Sequence, residues 1–98
     1  MADIWNAHIT HAPDILHQEL GGETVLLNLI DEHYFGLDPV GSRIWQILGE
    51  TGRADAVVEK LLQEYDVAEE TLRTDVARIV SELHDAGLVQ LAAASSVA

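Results

Sequence analysis

Gly21-Gly22-Glu23-Thr24-Val25-Leu26-Leu27-Asn28-Leu29-Ile30-Asp31-Glu32-His33-Tyr34-Phe35-Gly36-Leu37-Asp38-Pro39 is the stretch that decides the fold. Gly21-Gly22 is a two-residue hairpin signal, because such turns need positive φ and glycine adopts it without steric cost. Thr24 to Ile30 is a strand whose near-continuous apolar character suits a central position. Asp31-Glu32 turns the chain, and His33 to Leu37 is the next strand. Asp14 to Leu20, ahead of the glycines, is the weaker partner. Three short antiparallel strands are therefore expected before Asp38.

At Asp38-Pro39 the pattern changes. Aspartate caps helices, and proline is preformed for the first helical position. Val40, Ile44, Ile47 and Leu48 follow helical spacing, flanked by Trp45. Glu50 to Arg53 interrupts it. A second helix is expected from Ala54 to Tyr65, with Ala54, Val57, Val58, Leu61, Leu62 and Tyr65 on one face. Asp66 and Glu69 resemble a capping box opening a third helix. Its stripe is Leu72, Val76, Ile79, Val80 and Leu83, and Gly87 stops it, with Leu88 placed for a closing contact. Leu88 to Leu91 is a short extended segment. The predicted fold is α+β: a three-stranded antiparallel sheet followed by three helices, similar in order to a winged helix-turn-helix.

The boundaries expected are an N-terminal arm over 1–13, a domain over 14–91 and a flexible tail over 92–98. Ninety-eight residues fit one domain with a modest core. No apolar run approaches the ~20 residues needed to span a bilayer, and the N-terminus lacks the basic and apolar regions of a signal peptide. The absence of cysteine removes disulfides and thiolate chemistry and fits the cytoplasm. A net charge of −12 repels phosphate backbones, so nucleic acid is not an expected partner, and without a spanning run no membrane is expected either. A basic or amphipathic partner suits it better.

No catalytic constellation stands out. His8, His11 and His17 cluster near the start, but no carboxylate-rich helix accompanies them, so no metal is expected. Ser42 has no glycine-flanked elbow and no neighbouring histidine. The glycines form no phosphate-binding loop. No cofactor is expected. The helical acids, including Glu59, Glu64, Glu70 and Glu82, are explained by solvated faces.

The strand at His33 to Leu37 is different. In a 1-2-3 order it is an edge, with backbone N–H and C=O groups free to accept another strand. It carries no proline, lysine or charge run. Peptide recognition by strand addition uses such an edge beside a groove. The same edge could pair with a second copy of the chain.

Two segments carry a family resemblance. Gly22 to Leu29 is similar to the second-strand segment of PqqD-like proteins. Tyr34-Phe35-Gly36-Leu37-Asp38-Pro39-Val40-Gly41-Ser42-Arg43-Ile44-Trp45 resembles the family's aromatic pair, Leu-Asp and Ile-Trp signature. Glu64 to Val67, Asp75-Val76 and Leu83 to Val89 continue it, and together they cover Ile15 to Val89. The resemblance implies a non-catalytic recognition element that binds the leader of a ribosomally made precursor peptide. It implies that the leader adds to the third strand, over Tyr34, Phe35, Gly36 and Leu37, and lies against the third helix at Asp75, Val76, Ile79 and Leu83. Phe35 and Leu37 are expected to face the helices, because strand side chains alternate. The implied partners are a transglutaminase-like leader peptidase and a cyclase, as in lasso-peptide pathways. A radical SAM enzyme, as in pyrroloquinoline quinone synthesis, is the alternative.

Two rival classes fit less well. A DNA-binding winged helix needs Lys or Arg on its recognition helix, where Ala68 to Ala86 offers only Arg73 and Arg78 against five acids. A carrier protein needs a serine preceded by aspartate, whereas Ser42 follows Gly41.

Overall fold

The computed structural model describes residues 4–93. A single 3-10 turn, Ile4–Asn6, leads into β1 (Ala7–His11). Then come β2 (Ile15–Leu20), β3 (Glu23–Asn28) and β4 (Tyr34–Leu37). Three helices follow, α1 (Pro39–Thr51), α2 (Ala54–Glu64) and α3 (Glu69–Asp85), and β5 (Val89–Ala93) closes the described chain.

The α+β reading holds: β2, β3 and β4 form an antiparallel sheet in that order. Leu20 and Glu23 face each other across Gly21-Gly22, whose φ values of 60° and 87° are those the hairpin needs. The strand expected to run to Ile30 ends at Asn28. There the Asn28 side chain accepts the Ile30 N–H at 2.9 Å, a local bond that turns the backbone out of the ladder. Asp31 does the same for His33 N–H at 3.0 Å, which leaves His33 outside β4.

Residues 7–11 are not an arm. They form β1, which pairs antiparallel with β5 from Ala7↔Ala93 to His11↔Val89. Ile9 is fully buried and Ile4 nearly so, so burial of these apolar side chains anchors the segment. The tail boundary at 92 shifts for the same reason, since Ala92 and Ala93 belong to β5; residues 94–98 lie outside those described. β1 also bonds α1: Ile9 N–H donates to the Gly52 carbonyl at 2.8 Å. The close approach requires glycine. A Cβ on Gly49 would sit 2.7 Å from His11 Cε1, and one on Gly52 2.6 Å from His8 Cε1.

Helix ends follow local chemistry. Asp38 accepts the Gly41 N–H at 2.7 Å and Pro39 opens α1. The helix runs to Thr51, beyond the expected break at Glu50, and Gly52 caps it with φ 70°. The Asp66–Glu69 capping box does not form: Ala68 occupies the N-cap of α3 without a side-chain bond, and Glu69 is the first helical residue. Gly87, at φ 77°, ends α3. Its N–H bonds the His84 carbonyl at 3.0 Å, and Leu88 N–H bonds the Leu83 carbonyl at 2.8 Å. These are the paired bonds of a Schellman stop, with Leu83 and Leu88 both buried beneath it. The core gathers Leu26 and Leu37 from the sheet with Ile44, Ile47, Leu48, Val57, Leu61, Val76, Val80 and Leu83 from the helices.

Candidate functional site: the β4 edge

β4 is an edge of its sheet, with β3 on one side only. Asn28 N–H donates to the His33 carbonyl at 3.0 Å, and bonded pairs alternate with unbonded ones in an antiparallel ladder. The bonded pairs along β4 are therefore Leu26–Phe35 and Thr24–Leu37. The backbone groups of Tyr34 and Gly36 point the other way, to the open edge.

Side chains alternate across the same strand. Leu37 is 7% exposed and Phe35 packs against the core, whereas Tyr34 is 72% exposed. A Cβ on Gly36 would meet nothing within 4 Å. The edge thus offers two free backbone positions with no bulk over Gly36.

Beside this edge lies a hollow of about 360 Å³ between the start of β4 and the end of α3. His33, Tyr34 and Phe35 form one wall, and Asp85, Ala86 and Leu88 the other. α3 packs chiefly on α2 and β5, which leaves this space between it and β4.

The helix residues assigned to a groove divide. Val76 and Leu83 are 0% exposed and belong to the core. They cannot line an open surface, because the side of α3 that carries them is pressed into the helical layer. Asp75 and Ile79 are half-buried. They share a helix face with Ala86, seven and eleven residues before it, so that face runs toward the hollow that Ala86 lines. Asp85 and Ala86 escaped the sequence analysis. The signal was the helix stop at Gly87, which places the last turn of α3 beside the turn before β4.

The charged groups near this site are acidic. The arginines of α3 are engaged: Arg73 with Glu69 and over the Trp5 ring, Arg78 with Glu82. Arg43 grips Glu64 through two nitrogens, at 2.9 and 2.6 Å. That carboxylate holds the Arg43 pKa above its ordinary value, and Arg43 in turn lowers that of Glu64. Ser42 Oγ is buried and donates to the Leu37 carbonyl at 3.3 Å. Among the described residues no group of three His, Cys, Asp or Glu side chains converges to hold a metal, and no helix is long and apolar enough to cross a membrane.

Residues 23–89 match the family described as Coenzyme PQQ synthesis protein D (PqqD). Two solved structures are similar over most of their length. The one described as "TbiB1 in Complex with the TbiA(beta) Leader Peptide" shares 33% identity and a TM-score of 0.79, covering 83% of this chain and 94% of that one. The one described as "Lasso peptide synthetase B1 complexed with the leader peptide" shares 25% identity and a TM-score of 0.78, covering 86% and 99%. No curated protein matches the chain.

Proposed function

Because the chain belongs to the PqqD family, we propose that it binds the leader segment of a ribosomally made precursor peptide, as a strand added to β4, and delivers it to modifying enzymes. The open backbone of Tyr34 and Gly36 beside the α3 hollow carries this proposal. Strand addition draws affinity from main-chain hydrogen bonds and specificity from alternate side-chain pockets. Both are on offer here, and the similar chains are described as leader-peptide complexes.

The pathway favoured is lasso-peptide synthesis, with a transglutaminase-like leader peptidase as the receiving enzyme. Its support is the description of the second similar structure as a lasso peptide synthetase subunit. Service to a radical SAM enzyme is the second reading, favoured by the description of the matching family itself. The chain's own role is non-catalytic and cytoplasmic in this proposal. Pairing of two copies through β4 would bring together two chains of charge −12, so the charge favours a leader over a second copy at this edge.

The test is cleavage of the precursor by the peptidase, with and without this protein. Delivery predicts acceleration by about tenfold or more, the reach of bringing substrate and enzyme together by tethering. An unchanged rate with leader bound contradicts delivery.

A further inference from the structure

Among the described residues that line the α3 hollow, Asn28 is the one polar side chain that is buried, at 9% exposure. It shares the inward face of β3 with Thr24 and Leu26. Its Oδ1 accepts the Ile30 N–H at 2.9 Å. A backbone donor needs an oxygen opposite it, so this bond fixes which end of the amide is which. The Nδ2 end is turned toward the stop of α3: a Cβ on Gly87 would lie 3.8 Å from it. No group among the described residues accepts its two N–H hydrogens. Asp31 and Asp85 line the same hollow, but their carboxylates are engaged elsewhere. Asp31 accepts the His33 N–H at 3.0 Å and lies 3.5 Å from its imidazole, and Asp85 lies 4.0 Å from that of His84.

A buried donor without a partner costs free energy until an acceptor meets it. A leader strand can bring one. Side chains of a strand added to the open edge of β4 alternate, and every second one points to the inner, helix side. At the Tyr34 end of β4 that side is the hollow. Three kinds of polar side chain could enter. A carboxylate would accept from Asn28, but Asp31 and Asp85 repel it. Lys or Arg would suit the two acids, but both carry donors only and would set N–H against N–H at Asn28. A hydroxyl or a carboxamide accepts from Asn28 and keeps a donor for either acid. His33, at the rim, can donate or accept and does not decide between them. Phe35, Ala86 and Leu88 supply apolar wall for the stem of the entering side chain.

We propose that Asn28 is a specificity-determining residue for the leader, its Nδ2 donating to a neutral hydroxyl or carboxamide side chain that one inward-facing leader residue places in the hollow. The proposal rests on the leader-binding function above and adds to it the class of side chain that is read.

The experiment uses two variants. Asn28→Asp keeps an oxygen for the Ile30 N–H and replaces the Nδ2 donor with an acceptor of the same shape. Asn28→Ser keeps the turn bond through a hydroxyl too short to reach the hollow. A labelled synthetic leader, from the precursor gene nearest this chain's own, is titrated against wild type and both variants, with circular dichroism as the check of fold. Both variants should bind about tenfold or more weakly. An alanine scan of the leader should reveal one hydroxyl or carboxamide position whose truncation costs wild type about tenfold and Asn28→Ser almost nothing, the mark of a direct pair. If Asn28→Asp unfolds, Asn28→Ser alone decides. Equal affinity in wild type and the folded variants overturns the contact, water then serving Nδ2. Tighter binding by Asn28→Asp overturns it in favour of a Lys or Arg in the hollow. A scan whose losses are the same in both proteins at every position overturns it as well. Failure of wild type to bind leader removes instead the function on which it rests.

Discussion

The imidazole of His11 lies flat on the indole of Trp45, with ring centroids 3.5 Å apart and planes 5° from parallel. Its Nε2–H donates to the Trp45 carbonyl at 2.9 Å. The stack pins β1 to α1.

That contact predicts a pH dependence. Burial is the largest influence on His11 and lowers its pKa; the bond to the Trp45 carbonyl opposes this, and nearby His17 adds a little to the lowering. The fold therefore favours the neutral ring, while the unfolded chain takes up a proton near the ordinary value of 6.5. The stability that depends on neutral His11 is full above that pH and is lost as pH falls below it toward the lowered folded value. Urea midpoints at pH 7.5 and 5.5 should differ more in wild type than in His11→Phe, which keeps the stack but cannot titrate. An identical drop in both would show that His11 contributes nothing.

Ile9→Ala tests the β1 anchor. The side chain is fully buried, and such truncations cost about 2–5 kcal/mol. Chemical denaturation should report a loss in that range. A change below about 0.5 kcal/mol, the size typical of a surface substitution, would mean that β1 is a detachable arm after all.

Why β1 escaped the sequence is instructive. The β2-β3-β4 meander announces itself through Gly21-Gly22 and an apolar run, and α1 through Asp38-Pro39. These are local signals, and the structure honours them. Ala7 to His11 carries two histidines and a threonine around one buried isoleucine, and its partner β5 lies at the far end of the chain. Nothing local marks such a pairing. Its trace is indirect, in Gly49 and Gly52, whose missing side chains make room for His11 and His8. The candidate site divides along the same line. Strand alternation alone separates Tyr34 and Gly36 from Phe35 and Leu37, so the edge was legible. The groove was not, because a helical stripe shows which residues share a face but not which face meets the sheet. Val76 and Leu83 went to the core, while Ala86, one turn beyond Glu82, reached the hollow.

That division separates two variants. Val76→Asp would bury an unpaired carboxylate in the core and should unfold the domain, so lost binding there reports folding. Ala86 is exposed at the hollow. Ala86→Leu should fill the space, keep the thermal midpoint within a few degrees and weaken leader binding by about tenfold, comparable to losing one interface anchor. Leader affinity unchanged in Ala86→Leu would exclude the hollow from the site.

The bidentate Arg43–Glu64 bridge ties α1 to the end of α2. Both side chains keep about a third of their surface, so water screens the pair and its net contribution is small. A double-mutant cycle with Arg43→Ala and Glu64→Ala should return a small coupling, and a smaller one at high salt. A large coupling that salt leaves unchanged would point to a structural role that this exposure does not suggest.

The most direct measurement of the central claim is an anisotropy titration of labelled leader peptide against wild type, Gly36→Pro and Phe35→Pro. Gly36 offers its N–H to the open edge, so proline there removes a leader bond and no ladder bond; at Phe35 it removes a bond to β3. Wild type should saturate between roughly nanomolar and ten micromolar, or about 7–12 kcal/mol. Gly36→Pro should stay folded and lose binding, and Phe35→Pro should lose stability. A folded Gly36→Pro that binds leader as tightly as wild type would contradict strand addition at β4.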